Sequence, residues 1–139
     1  MASLMFFKAS GLDLPWLTQP GIAGHSATQI HGDRSQSQRN SALRSFAQGH
    51  HRVLVATDVA ARGIDVADVA HVVNFDMPKE AEDYVHRVGR TGRAQSRGVA
   101  STFAAPDEAH ALRKMERVLD ITTKKYRVRL NNEVRAKVA

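Results

Sequence analysis

Residues Val53–Val66 read V-L-V-A-T-D-V-A-A-R-G-I-D-V. The first four are apolar residues in unbroken succession, two of them β-branched valines, the pattern of a strand covered on both faces. Val53–Ala56 therefore reads as a buried strand ending at Thr57-Asp58, and the loop after it, V-A-A-R-G-I-D, sets Arg62 and Asp65 around Gly63. Ala70–Phe75 is a second strand of this kind, and Leu4–Phe7, Ser26–Ile30 and Gly98–Ala104 add three more. Helices are expected between them. One runs from Ser35 to Gln48, with Ser35 as cap, Leu43, Phe46 and Ala47 as apolar stripe and Gly49 as stop. A second opens at Pro78 and continues to about Val88. A third spans Pro106–Leu119, with proline at its first position, Asp107-Glu108 in its first turn and Leu112, Met115, Val118 and Leu119 as buried stripe. Alternating strands and helices imply βαβ units with right-handed crossovers, so the class is α/β: a parallel sheet with helices on both faces. Residues 9–24 carry Pro15, Pro20, Gly11, Gly21 and Gly24 and read as irregular chain.

The chain has 139 residues, one domain's worth, and its hydrophobic content of 42% is ordinary for a globular protein. A domain of this size buries about two-thirds of its unfolded surface. There is no cysteine, which removes disulfides and thiolate metal sites and fits a reducing, cytoplasmic setting. No apolar run reaches the length of a membrane span, and the opening ten residues are too short and lack a basic start for a secretory signal. The net charge of +6 is uneven. Residues 122–139 hold Lys124, Lys125, Arg127, Arg129, Arg135 and Lys137 against Glu133 alone, while the preceding 121 residues are close to neutral. The expected organisation is a domain over 1–121 and a basic tail or linker over 122–139. Such a tail suits sequence-independent contact with nucleic acid, or serves only to keep a terminus solvated.

The densest local charge lies at Tyr84–Arg93, Y-V-H-R-V-G-R-T-G-R. Arg87, Arg90 and Arg93 recur at steps of three behind His86, and no acid occurs from Tyr84 through Arg97. Guanidinium groups so close repel one another unless an anion neutralises them, and each is a planar fork suited to phosphate oxygens. The pattern points to a polyphosphate site; the plainer alternative is a solvated basic helix end.

In an open parallel sheet, ligands sit at the carboxyl ends of the strands. Thr57 and Arg62 can bond phosphates there and Asp65 can accept from ribose hydroxyls. The competing reading makes Asp58 and Asp65 turn caps, with Arg62 paired to one of them. A third cluster, I-H-G-D-R-S-Q-S-Q-R at 30–39, exposes the Gly32 backbone and frees Arg34 to reach a phosphate. Aromatic residues are only 6% and do not interleave with the basic ones, which favours reading a sugar–phosphate backbone over base stacking.

Taken together, V-L-V-A-T-D-V-A-A-R-G-I-D-V and Y-V-H-R-V-G-R-T-G-R resemble motifs V and VI of the DEAD-box RNA helicases, with I-H-G-D-R upstream in the family's order. The similarity runs from about Ser26 to Leu119, and the strings E-D-Y-V-H-R and A-P-D-E look most like the bacterial RhlE-type group. The resemblance implies the second RecA-like domain of an ATP-dependent RNA helicase. By position, Arg90 and Arg93 resemble arginine fingers toward ATP held, with Mg²⁺, mainly on a separate N-terminal lobe. His86 and Arg87 resemble the pair coupling nucleotide state to domain closure. Gly63 and Asp65 fall on the nucleotide-contacting part of motif V, and Gly32, Arg34, Thr57 and Arg62 resemble RNA-backbone contacts. No metal ligand is implied in this chain. Asp107-Glu108-Ala109-His110 spells D-E-A-H, but it lies downstream of motif VI and no G-x-x-x-x-G-K-[ST] exists, so it reads as an acidic helix start. Where the family carries V-F-x-N-T, this chain has M-F-F-K-A-S. A stand-alone RNA-binding or regulatory module, or a DNA helicase of the same superfamily, would show the same motifs.

Overall fold

The computed structural model describes residues 2–7, 24–62, 66, 69–92 and 97–127. Five strands, β1 (Ser3–Phe7), β2 (Ala27–Ile30), β3 (Val53–Thr57), β4 (His71–Asn74) and β5 (Val99–Thr102), form one sheet in the order β2-β3-β1-β4-β5. Every pairing is parallel. The helices are α1 (Gln36–Ala47), α2 (Asp58–Ala61), α3 (Ala81–Val88) and α4 (Ala109–Leu119), with a 3₁₀ turn at Pro106–Glu108.

Side-chain alternation separates the two faces of the sheet. Leu4, Phe6, Ile30, Leu54, Ala56 and Val72 point to one face and pack with Ala42 and Phe46 of α1 and Ala60 and Ala61 of α2. Phe7, Val53 and Val55 point to the other, with Met5 and Ala27 against them. The strand order explains the first group. From β2 through β3 and β4 to β5 the chain always moves in the same direction across the sheet, so right-handed crossovers put α1, α2 and α3 on one side.

The α1 helix opens on a reciprocal cap: Ser35 Oγ accepts from the Gln38 N–H at 3.2 Å and Gln38 Oε1 accepts from the Ser35 N–H at 3.0 Å. It stops at Gly49, whose φ of +78° is left-handed and cheap only for glycine. Gly98, just before β5, leaves room for Thr91: a Cβ there would stand 2.0 Å from Thr91 Oγ1.

Several expectations shift. The segment after Thr57 is not wholly loop, because Asp58–Ala61 closes a helical turn and buries Ala60 and Ala61. The second helix starts at Ala81 rather than Pro78, since Glu80 is extended (φ −118°, ψ 152°) and serves as its N-cap. The third begins as the 3₁₀ turn, with Glu108 Oε2 accepting from the Ala105 N–H at 2.8 Å. In α1 the buried pair is Ala42 and Phe46, one turn apart, and Ala47 is exposed. In α4 Met115 is buried and Leu112 and Leu119 half-buried, whereas Val118 lies off that stripe and is 63% exposed. The stretch expected to be irregular, 9–24, lies outside the described residues except for Gly24, as does the tail from 128 onward.

Candidate nucleotide and nucleic-acid site

The site is built at the carboxyl ends of β3, β1 and β4, where α2 and α3 meet. Phe6, Asp58, Ala61, Arg62, Asp83, His86, Arg87 and Arg90 line a cleft of about 220 Å³. Arg90 therefore faces the end of β3, where Asp58 follows Thr57 directly. Gly63, Asp65 and Arg93 lie outside the described residues.

Arg87 is the hub. It is 4% exposed. Its Nε donates to Asp58 Oδ1 at 2.7 Å and its Nη2 to Asp58 Oδ2 at 2.6 Å, a two-point fork. Nη1 donates to the Asp76 carbonyl at 2.9 Å and to Asn74 Oδ1 at 3.3 Å. The guanidinium carbon lies 5.1 Å from the centre of the Phe6 ring. Asn74, fully buried, passes the connection on by donating from Nδ2 to Thr102 Oγ1 at 3.1 Å. Of the three clustered arginines, Arg87 is thus turned inward, and the anion that neutralises it is Asp58, 29 residues upstream. Sequence reading missed Asp58 as a partner because a carboxylate after a strand is usually a turn cap.

The other basic groups are more open. Arg62 Nη2 stands 3.9 Å from Asp83 Oδ1, with the arginine side chain 78% exposed. His86 Nε2 stands 3.9 Å from Glu82 Oε1 one turn earlier. Thr57 Oγ1 is shielded from solvent and has no hydrogen-bond partner among the described residues. Buried hydroxyls are normally satisfied, so this one is available to a ligand or to a rearranged loop. Gly32 is exposed and Arg34 half-buried in the turn after β2, where the Arg34 N–H bonds the His31 carbonyl at 3.2 Å; they do not line the cleft. Arg39 is structural: its Nη2 donates to the Ala60 carbonyl at 3.0 Å and ties α1 to α2.

The topology gathers aromatics that the sequence scatters. Phe7 and Phe75 stack at 4.6 Å between centroids, and Phe103 stands 5.7 Å from Phe75, across the ends of β1, β4 and β5. Among the described residues no group of three or more His, Cys, Asp or Glu could hold a metal ion. No described helix is long and apolar enough to cross a membrane.

Comparison with known proteins agrees with this geometry. Residues 5–95 match the helicase conserved C-terminal domain family. The chain is 50% identical over 110 residues to the DEAD-box ATP-dependent RNA helicase CshA of Bacillus cereus, covering 79% of this chain and 20% of that protein. It thus spans about a fifth of the length of the curated relatives it matches. A DEAD box protein from the hyperthermophile Methanococcus jannaschii superposes with a TM-score of 0.80 at 40% identity, over 91% of this chain and 35% of that one. E. coli DEAD-box protein SrmB, solved bound to regulator of ribonuclease activity A, superposes with a TM-score of 0.75 at 36% identity, over 96% of this chain and 76% of that one. An all-parallel five-stranded sheet with its arginine helix packed against the β3 end is the RecA-like arrangement, and the chain belongs to the helicase conserved C-terminal domain family in the form that DEAD-box proteins carry.

Proposed function

We propose that this chain is the C-terminal lobe of an ATP-dependent RNA helicase and works only together with an N-terminal RecA-like lobe. The observation that carries the reading is the convergence of Arg62, His86 and Arg90 on one cleft at the strand ends. Arg90, with Arg93, neutralises charge on the phosphoryl group of ATP held across the cleft, and Asp65 and Gly63 meet its sugar side. The Mg²⁺ that accompanies ATP is held by the other lobe. Thr57, Arg62, Gly32 and Arg34 contact the RNA backbone. Closure on both ligands bends one strand and separates a short duplex. His86 and Arg87 transmit the nucleotide state, Arg87 acting from inside the fold. The strings E-D-Y-V-H-R and A-P-D-E support a bacterial RhlE-type subgroup, which a tree of full-length sequences would test.

Arginine fingers contribute about 10³–10⁵-fold to rate in related nucleotide hydrolases. The isolated chain, which has no phosphate-binding loop, is expected to hydrolyse no ATP. Mixed with an N-terminal lobe of a CshA relative, it restores RNA-stimulated hydrolysis, and Arg90→Ala lowers that turnover by about 10³-fold. Turnover by the 139-residue chain alone, or an Arg90→Ala lobe as active as the parent, would overturn the assignment.

A further inference from the structure

We propose that Asp58 is a positioning residue of this lobe. By gripping Arg87 through both carboxylate oxygens it sets the separation between Arg62, at the end of α2, and His86 and Arg90, at the end of α3. The proposal rests on the reading of the cleft just given and adds to it a residue outside the expected site.

The argument is one of attachment. The Arg87 guanidinium makes its remaining bonds to Asn74 and the Asp76 carbonyl, on and just after β4, and lies over Phe6 of β1. Those contacts fix α3 to the middle of the sheet. None of them reaches the segment from Val53 to Arg62. The bonds at 2.6 and 2.7 Å to Asp58 do so. A second ion pair between these segments, Arg62 to Asp83 at 3.9 Å, is solvent-exposed and weak. Asp58 opens a helix only four residues long, and Arg62 caps it, so moving Asp58 moves Arg62 as one body. The tightest contact between the two walls of the cleft among the described residues is thus a planar fork whose geometry tolerates little change. A nucleotide-facing group and a nucleic-acid-facing group are held at a fixed distance before either ligand arrives.

Lengthening the carboxylate separates position from charge. Asp58→Glu keeps the anion and the fork but adds one methylene between α2 and Arg87. If Asp58 only neutralises a buried cation, glutamate replaces it without loss. If it sets a distance, the lobe folds and the cleft is misaligned. In the lobe pair, Asp58→Glu is expected to lower RNA-stimulated kcat at least fivefold, with KM for ATP within twofold of the parent and the melting temperature of the lobe nearly unchanged. In the isolated ¹⁵N-labelled chain the same substitution shifts the backbone amide signals of Arg62, His86 and Arg90 together. The proposal is overturned if Asp58→Glu turns over within twofold of the parent, if its loss tracks the unfolded fraction, or if the amide signals of His86 and Arg90 stay in place. Arg90→Ala is the control: an active Arg90→Ala lobe means the assignment of the cleft is wrong, whereas an inactive one beside a fully active Asp58→Glu lobe removes only the role of Asp58. Should a lobe pair show no turnover, the amide shifts alone decide.

Discussion

Arg87 has given up water and received in exchange a carboxylate fork, two neutral acceptors and a ring face. Removing one partner of a buried pair leaves the other uncompensated, at a cost of about 3–5 kcal/mol. Asp58 keeps 37% of its side chain exposed and can rehydrate, which puts Arg87→Ala at the low end, about 3 kcal/mol. Urea unfolding of the variant lobe would measure it; a loss under about 1 kcal/mol would mean that the fork is no stronger than a surface pair. At this scale the sequence was half legible. It revealed that clustered guanidinium groups need an anion, and it located the cluster. It did not reveal that Asp58 supplies the anion from inside the protein, since nothing in local spacing marks two segments 29 residues apart as neighbours. Only the β3-β1-β4 order brings them together.

The elements were more readable than their edges. Ser35 was identifiable as a cap because a hydroxyl just before a helix satisfies a free N–H group; the return bond from Gln38, an ordinary polar residue by sequence, emerged only in the fold. Ser35→Ala is therefore expected to cost about 1 kcal/mol, seen as a lower urea midpoint with an unchanged slope. The start at Pro106 was placed correctly but opens as a 3₁₀ turn, whereas the start at Ala81 was set three residues early because proline marks where a helix can begin, while the neighbouring backbone decides where it does. The end of α4 holds an interaction that no motif announced. After Asp120, in left-handed conformation (φ 51°), the chain folds back and Glu116 receives Thr123 N–H at 3.1 Å, Thr123 Oγ–H at 2.5 Å and Lys125 Nζ at 3.2 Å. The Thr123 bonds, more than the Lys125 charge, hold the Glu116 carboxyl below its ordinary value. Burial, and secondarily that carboxylate, push the Tyr84 phenol up. A depressed carboxyl contributes stability that is present above its unfolded pKa and lost as pH falls through the folded one. The folded-back segment is therefore docked at neutral pH and released in acid, below the ordinary glutamate range. Amide exchange at Thr123 should accelerate there beyond the intrinsic rate, and Glu116→Gln should remove that pH dependence; a Thr123 amide equally protected through the acid range would contradict the account.

Across the whole sequence, positive charge is concentrated after Ile121. The Glu116 contacts fix the chain through Lys125, and the remaining cations, Arg127, Arg129, Arg135 and Lys137 against Glu133, follow that point in sequence. A phosphate contact made by single-stranded nucleic acid contributes about −0.7 to the slope of log K against log salt. If the tail supplies contacts alongside those of the cleft, ending the chain after Tyr126 keeps the anchor but removes four of the cations. The truncated chain should then bind a short poly(U) strand more weakly, with a slope shallower by up to about 3 if each of the four cations meets one phosphate. If those residues carry only charge, its melting temperature should match the parent's. Arg62→Ala should instead shorten the slope by about 0.7, the effect of one phosphate. Equal slopes for the parent and the truncated chain would assign RNA contact to the strand-end rim alone and leave the tail as solvated charge.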